Sequence, residues 1–462
     1  MLLLITFAVP LVAIASALSA SKMLPQRAVP FLPTVAPFLY LFYVLIAPLL
    51  YVSITERGIA SVPPSILSSK NVSVSVIFLA SYLLGTICRR LFVRLKRSPA
   101  MSRGDLTQAE EDPVYRATHV VLVAVGRFVL LIALLAKIIE VATLGPVSQR
   151  LYGEGQLEYS ALTALSVIGE GLVLPGCLLV MYSTTRLWRR PLRAVDVLIV
   201  GGLFLVSGLF LGSRGELIGP TVLYVLFYMQ SVRRIPVLRL VVGISSALAL
   251  FVSIVYLRSA DSPSYPLAET VLWQTISPVQ LSANVAALVP SSVDHYGGST
   301  YIAAFRQILP GPISRALGPV VGTGSLAYRE LIGYTNPNHS WGFAYSTEAY
   351  LNFGMIGVSA AGFILGLAFS WAFRLFILAH RRSVRISVYM FPLLLAYLPY
   401  GFRSDSLGQL KTLLYGSIII YLAILYSRSW SNRLALRRTK LKSPAYVGQY
   451  GFQRLKEEQS ES

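Results

Sequence analysis

Runs of about 20 apolar residues recur along the chain, and each is long enough to cross about 30 Å of hydrocarbon as a helix. Hydrophobic residues make up 55% of the 462 residues and charged residues only 13%, whereas a soluble domain carries about 25% charged residues. The ten-residue alternation that marks an outer-membrane barrel is absent from the sequence. The pattern therefore predicts an all-α, polytopic integral membrane protein.

Eleven transmembrane helices are expected from these runs, and twelve would require one helix that the pattern misses or wrongly splits. The first run has no basic residues before it and no small-residue cleavage site, so we interpret it as a retained helix and not as a signal peptide. The expected helices cover residues 1–20, 31–54, 71–88, 118–143, 160–185, 195–212, 215–231, 238–257, 345–373, 385–401 and 411–427.

Lys and Arg cluster in alternate connections between these helices, as the positive-inside rule requires. This alternation predicts an outside amino terminus and an inside carboxyl terminus. We expect eight helices in residues 1–257, a long outside loop at 258–344, three helices in 345–427 and a basic cytoplasmic tail at 428–462. The net charge of +20 then reflects inner loops that face anionic lipid, and not nucleic-acid binding.

Within the long loop, the stretch "TYIAAFRQILPGPISRAL" (300–317) has apolar residues at helical spacing, and Pro310 and Pro312 interrupt it. We expect two short amphipathic helices here, lying on the membrane surface. Cys88 and Cys177 lie in apolar runs and offer no disulfide framework. No HExxH motif, Walker loop or DxD pair is present, so no metal, nucleotide or other cofactor is expected.

Arginine is the only basic residue type expected at the outer face between Lys137 and Lys411. Its planar fork of donors pairs bidentately with phosphate. Codon bias and snorkelling at the interface are the alternative explanation. These arginines are Arg150, Arg214, Arg258, Arg306, Arg315, Arg329 and Arg403.

Arg214 lies in the hairpin "FLGSRGELIGP", between Gly212 and Gly215 and beside the expected start of the next helix. The glycines allow a tight turn and close approach of a ligand, and a helix N-terminus favours an anion. The hairpin is therefore a candidate pyrophosphate subsite. The alternative is an ordinary interhelical turn, in which glycine and arginine are common.

A second polar cluster lies where the long loop re-enters the membrane. His339 ends the loop, and Glu348 and Asn352 are four residues apart and so share a helix face. A carboxylate and an amide at this depth are costly unless they face a polar cavity. The alternatives are a structural partner for an arginine in the case of Glu348, and an ordinary loop histidine in the case of His339.

Two further groups of charges stand out. Arg403 and Asp405 lie in a third glycine-bracketed turn, where they could simply pair with each other. Lys137 and Glu170 have similar expected depths on adjacent helices, so an ion pair within the membrane is predicted.

Two stretches of the chain resemble the bacterial O-antigen polymerases, the Wzy-type oligosaccharide repeat-unit polymerases. They are "GSRGE" (212–216), between two central helices, and "NHSWGFAYSTEAYLNFGMIGV" (338–358), after the long loop. The order of histidine, glutamate and Gly-x-x-Gly is also similar to that of the O-antigen ligases. The resemblance implies a GT-C-like glycosyltransferase of the bacterial inner membrane, with its active site facing the periplasm.

The implied reaction transfers a growing glycan from undecaprenyl pyrophosphate to the sugar of a second lipid-linked repeat unit, without a metal and with a chain-length regulator as partner. Arg214 and Arg258, then Arg329 and Arg403, are candidates to stabilise the leaving pyrophosphate. Arg306 and Arg315 are candidates for the second pyrophosphate, and Asn352 and Asp405 for further substrate contacts. The base is His339, or Glu348 if burial raises the pKa of its carboxyl group.

Two other functions remain open at this point. One is an O-antigen ligase, which transfers the glycan to lipid A–core. The other is a transporter or flippase without enzymatic activity. A transporter would be expected to show repeated halves or helices broken at the membrane midplane, and neither is visible in the sequence, where the polar groups gather at the outer face.

Overall fold

The regular structure is helical wherever the chain is described. The computed structural model describes residues 68–94, 113–144, 161–210, 215–231, 279–309, 313, 316–317, 322–333, 343–379, 387–397 and 406–442. No strand occurs in these residues. Four of their helices are long and apolar enough to cross a membrane. The prediction of an all-α membrane protein is confirmed for this part of the chain.

The helices are numbered in chain order. They are α1 (Ser69–Arg94), α2 (Pro113–Leu144), α3 (Ala161–Trp188), α4 (Ala194–Phe204), α5 (Gly215–Ser231), α6 (Val279–Leu288), α7 (Ser299–Ile308), α8 (Gly324–Leu331), α9 (Tyr345–Ala379), α10 (Ser387–Tyr397) and α11 (Ser406–Lys442). A π-helical turn, Leu205–Phe210, extends α4.

Each expected helix that falls on described residues corresponds to an observed one, and the expected helices at 1–20, 31–54 and 238–257 lie outside the described residues. The largest difference is at α11, which continues past the expected end at 427 to Lys442. Its last turns are rich in Arg and Lys, which are good helix formers even when they no longer face hydrocarbon.

The larger apolar core joins α2, α3, α5, α10 and α11, with residues of α1, α4 and α9 at its edges. The middle of α3 is surrounded on all sides, since every residue from Val173 to Thr184 is buried. Leu178, Phe227 and Phe391 are among its fully buried side chains. This core makes α3 the central helix of the described bundle.

The packing of α1 against α9 depends on glycine. A Cβ atom at Gly85 would press on the carbonyl oxygen of Phe363, and one at Gly366 would press on that of Tyr82. Small residues let membrane helices approach until their backbones touch, which is a main source of helix association in lipid. The sequence therefore fixes this pair through residues that have no side chain.

A second apolar core packs the helices of the long loop onto α1 and α9. It contains Phe78 of α1, Val285 of α6, Tyr328 of α8 and Leu351 of α9. The first expected amphipathic helix of the loop is α7, and most of the second lies outside the described residues. Helix α7 buries Ala303 and Ala304 and exposes Ile302 and Phe305, a pattern that favours an interfacial position.

Buried charges within the bundle are paired. Lys137 is 1% exposed, and its Nζ lies 3.3 Å from Oε2 of Glu140 and 3.6 Å from Oε1 of Glu170. The predicted Lys137–Glu170 ion pair is thus confirmed. A second pair, not predicted, joins Nε of Arg127 to Oδ1 of the fully buried Asp196 at 2.7 Å, and the backbone N–H of Arg193 donates to the same carboxylate.

Candidate active site

Helix α9 begins at Tyr345 and is interrupted at Gly354, less than three turns after its start. Gly354 has φ 61° and ψ −148°, a conformation that a residue with a side chain rarely adopts. Just before the interruption, the carbonyl groups of Leu351 and Asn352 accept hydrogen bonds from the backbone N–H groups of Tyr296 (3.1 Å) and Gly297 (3.0 Å). The break therefore becomes an attachment point for the loop.

Glu348 and Asn352 share the face of α9 beside this break, as the i, i+4 spacing predicted. Both side chains are fully buried. Asn352 Nδ2 donates to the carbonyl oxygen of Glu348 at 2.8 Å and to Thr300 Oγ1 at 2.7 Å, and its Oδ1 accepts from Gly298 N–H at 3.0 Å. Thr300 Oγ1 in turn donates to Glu348 Oε1 at 3.0 Å. We refer to Gly298, Thr300, Glu348 and Asn352 as the Glu348 network.

The buried carboxylate lies where helices begin. Thr300 is in the first turn of α7, and Glu348 is in the first turn of α9. Gly324 starts α8, and a Cβ atom there would lie 3.1 Å from Cδ of Glu348. The N-terminal ends of helices carry partial positive charge, so this position favours a negative group. The arrangement explains how the carboxylate is accommodated without exposure to water.

Tyr301 follows Thr300 in α7, and the pKa of its phenol is affected by the same buried environment. Burial, and then the negative charge of Glu348, raise the pKa of Tyr301 above its usual value. Tyr301 therefore stays protonated near neutral pH and acts there as a neutral hydroxyl group, and not as a base.

The geometry favours a structural role for Glu348 over that of a base. Its carboxylate is enclosed by α7, α8 and α9, and neither it nor Asn352 is exposed to a substrate in this conformation. Polar groups of the loop form hydrogen bonds with both side chains. In this arrangement the two residues attach the loop to the membrane helix.

The other predicted site residues divide into two groups. Arg306 is in the last turn of α7 and Arg329 in the last turn of α8, and both are half-buried. Helices α7 and α8 contact each other, and the two arginines lie at the ends of these helices that are farther from Glu348. Six residues lie outside the described residues: Arg214, Arg258, Arg315, His339, Arg403 and Asp405.

A histidine that is not among the predicted site residues lies directly at the break. His295 is exposed, and a Cβ atom on Gly354 would lie 3.0 Å from its Nε2. Its ring meets the ring of Tyr350 edge-on, with centroids 5.8 Å apart. The signal in the sequence was "HYGG" (295–298). Both of its glycines have positive φ, so the motif marks a tight turn that brings the histidine back onto α9.

A metal site needs several side chains that bind the ion together. Among the residues that the structure describes, no three His, Cys, Asp or Glu side chains lie close enough together to hold a metal ion.

Comparison with known proteins identifies the family. No curated protein and no solved structure matches the chain. The model of one protein family, the O-antigen polysaccharide polymerase Wzy family, matches residues 1–433. The match includes the apolar helices, the long loop and the broken start of α9. The chain therefore belongs to the O-antigen polysaccharide polymerase Wzy family.

Proposed function

We propose that this protein transfers a growing glycan from undecaprenyl pyrophosphate to the sugar of an incoming lipid-linked repeat unit. A hydroxyl group of the acceptor sugar attacks the anomeric carbon of the donor and forms the new glycosidic bond. The bond from that carbon to the donor's pyrophosphate breaks, and its electron pair leaves with the pyrophosphate. Family membership over residues 1–433 is the observation that carries the proposal.

The leaving pyrophosphate gains negative charge as its bond to the sugar breaks. Fixed arginines stabilise that charge more in the transition state than in the ground state, and so accelerate the reaction. We assign this role to Arg214 and Arg258, with Arg329 and Arg403 as further contacts. Arg306, together with Arg315, would hold the pyrophosphate of the second substrate.

The location of Arg306 and Arg329 supports this assignment. Both lie on short helices packed over the beginning of α9, and Arg306 is on the helix whose exposed residues, Ile302 and Phe305, are apolar. A lipid-linked substrate needs cationic groups for its pyrophosphate next to an apolar surface for its lipid tail. Helix α7 provides both kinds of side chain within ten residues.

The acceptor hydroxyl needs a base. Complete burial of Glu348 argues against that carboxyl group, so we infer that the base is an imidazole, which exchanges protons near neutral pH; His339 is the candidate from the sequence. Asn352 contributes by fixing the loop to α9, and Asp405 by orienting the acceptor or Arg403. The reaction needs no metal in this proposal, because arginines supply the positive charge.

The remaining features of the proposal follow from the substrates. We infer a GT-C-like enzyme in the bacterial inner membrane, with the reaction at the periplasmic face and a separate chain-length regulator as partner. The alternating Lys and Arg clusters support this orientation.

Polymer formation by the purified enzyme tests the proposal. The enzyme in lipid nanodiscs is given lipid-linked repeat unit and a chelator, without ATP, nucleotide sugar or an ion gradient. A ladder of longer glycans on the lipid carrier is expected. If a wild-type enzyme that is folded and binds this substrate makes no longer glycan, the proposal is wrong, and transport becomes the better explanation.

An arginine variant tests the proposed site. Arg214→Lys keeps the charge and loses the bidentate fork, so we expect turnover to fall by about 10- to 100-fold, which is less than the effect of removing a transition-state donor altogether. Arg190→Lys is the matched control, because Arg190 is exposed on the turn after α3. Equal turnover in the two variants would show that Arg214 does not stabilise the leaving pyrophosphate.

A further inference from the structure

His295 has a fixed position in an exposed part of the site. The three residues after it are attached to α9 by hydrogen bonds from Tyr296 N–H to Leu351, from Gly297 N–H to the Asn352 carbonyl and from Gly298 N–H to the Asn352 side chain. The backbone of the turn that carries the imidazole is therefore attached to α9 beside the helix break.

The ring itself is held from two sides. On one side it meets the ring of Tyr350, whose hydroxyl donates to the carbonyl oxygen of Val289 at 3.0 Å. On the other side the ring fits against Gly354, where any Cβ atom would lie within 3.0 Å of Nε2. The glycine that breaks α9 thus also makes room for the histidine.

The ring nitrogens of His295 are not used for hydrogen bonding within the described residues, and Nε2 faces Gly354. No hydrogen bond or ion pair joins His295 to another residue of those segments. The side chain is exposed, whereas those of Glu348 and Asn352 are fully buried. A positioned, accessible imidazole whose nitrogens are not used for structure has the properties of a general acid or base.

The surroundings suit a sugar better than a free phosphate. Phe353 is 47% exposed and stacks on Tyr301 with an interplanar angle of 20°. This exposed aromatic surface adjoins the histidine, because the Phe353 ring also packs on Gly298. A flat apolar ring beside a hydrogen-bonding group is a common way to bind a ligand that has both apolar and polar faces.

We propose that His295 is the general base that activates the acceptor hydroxyl, in the reaction given under the proposed function, on which this inference rests. The imidazole nitrogen that carries the lone pair takes the hydroxyl proton while the oxygen forms its bond to the anomeric carbon. The lipid pyrophosphate leaves with the electron pair of the broken bond, and the imidazolium then releases its proton to water. Glu348 supports this base indirectly by holding the turn that carries it.

Four variants in the nanodisc polymerisation assay test this role. His295→Gln keeps the size and polarity of the side chain without a basic nitrogen, and we expect turnover to fall by about 100-fold or more, the usual contribution of a general base. His339→Gln tests the histidine that the sequence offers as base: a fall of about 100-fold in this variant, together with wild-type turnover in His295→Gln, would overturn the inference. Ser292→Ala is the folding control, since Ser292 is exposed on the same connection and has no assigned role.

Chemical rescue separates catalysis from structure. His295→Ala leaves a gap at an exposed site, and added imidazole should restore a measurable part of its turnover, whereas it should not stimulate wild type. A merely structural histidine would not be rescued by free imidazole. If wild type polymerises and His295→Gln does so at the same rate, this inference fails and the proposed function stands. If wild type makes no polymer, the proposed function itself fails.

Discussion

The Glu348 network can be tested by replacing a single hydroxyl group. Thr300 is fully buried, and its Oγ1 both donates to Glu348 at 3.0 Å and accepts from Asn352 at 2.7 Å. Valine has nearly the same shape as threonine but can neither donate nor accept. Thr300→Val therefore removes two hydrogen bonds and introduces no cavity, while Thr300→Ser keeps the hydroxyl and loses one methyl group.

The size of the effect follows from these contacts. A hydrogen bond to a charged group contributes about 1.5–3 kcal/mol, and the bond from Asn352 is partly replaced because the same nitrogen also donates to the carbonyl oxygen of Glu348. We expect the attachment of α7 to α9 to weaken by about 2–3 kcal/mol. Because about 1.4 kcal/mol corresponds to a tenfold change, local opening becomes about 30- to 140-fold more frequent.

Amide hydrogen exchange in nanodiscs measures this opening directly. Peptides covering the turn before α7 and α7 itself should exchange about 30- to 140-fold faster in Thr300→Val, and peptides from α3 should not change. Thr300→Ser should stay near wild type. Equal exchange in the valine and serine variants would refute the conclusion that the hydroxyl attaches the loop, and would leave apolar packing as the cause.

Two predictions concern the bundle. Gly366→Ala should lower the free energy of unfolding in detergent by about 1–3 kcal/mol, because its methyl group meets the carbonyl oxygen of Tyr82. Gly201→Ala is the control and should be nearly neutral, because no atom lies within 4 Å of its new Cβ. Equal melting temperatures of the two variants would contradict the glycine contact. Lys137→Met should lower the free energy of unfolding by about 3–5 kcal/mol, because it leaves the carboxylates of Glu140 and Glu170 without their buried cation. Adding Glu140→Gln should recover part of this stability. If the double variant melts no higher than Lys137→Met, the ion pair is not the cause of the loss.

The described helices and the Lys137–Glu170 ion pair were predictable from the sequence, because they depend on local patterns, whereas the Arg127–Asp196 pair was not. Apolar runs set the helix positions, and the rise per residue was enough to predict that Lys137 meets Glu170. The i, i+4 spacing likewise predicted that Glu348 and Asn352 share a face. The extension of α11 to Lys442 was missed, because hydropathy marks where a helix leaves the membrane and not where it ends.

The partners in the site were not predictable, because they are far apart in the sequence. Thr300 is separated from Glu348 by 48 residues, and neither hydropathy nor spacing indicates that contact. The break at Gly354 was also missed, although its Gly-x-x-Gly motif was noted. A glycine in a membrane helix can serve close packing or can allow a positive φ. The sequence does not distinguish these two roles, and only the backbone conformation shows which one applies. His295 was not predicted for the same reason, because the sequence does not show that its turn lies beside the break in α9.

Helix α7 also acts as a spacer between two membrane helices. Near its start Thr300 is bonded to α9, and at its end the carbonyl oxygen of Ile308 accepts from the hydroxyl of Tyr415 on α11 at 2.9 Å. At 1.5 Å per residue, these two attachment points are about 12 Å apart. An α-helix resists compression along its axis, so this separation is set by the number of residues in α7. Inserting or deleting one turn there would change the separation by about 5 Å and leave the composition of every membrane helix untouched.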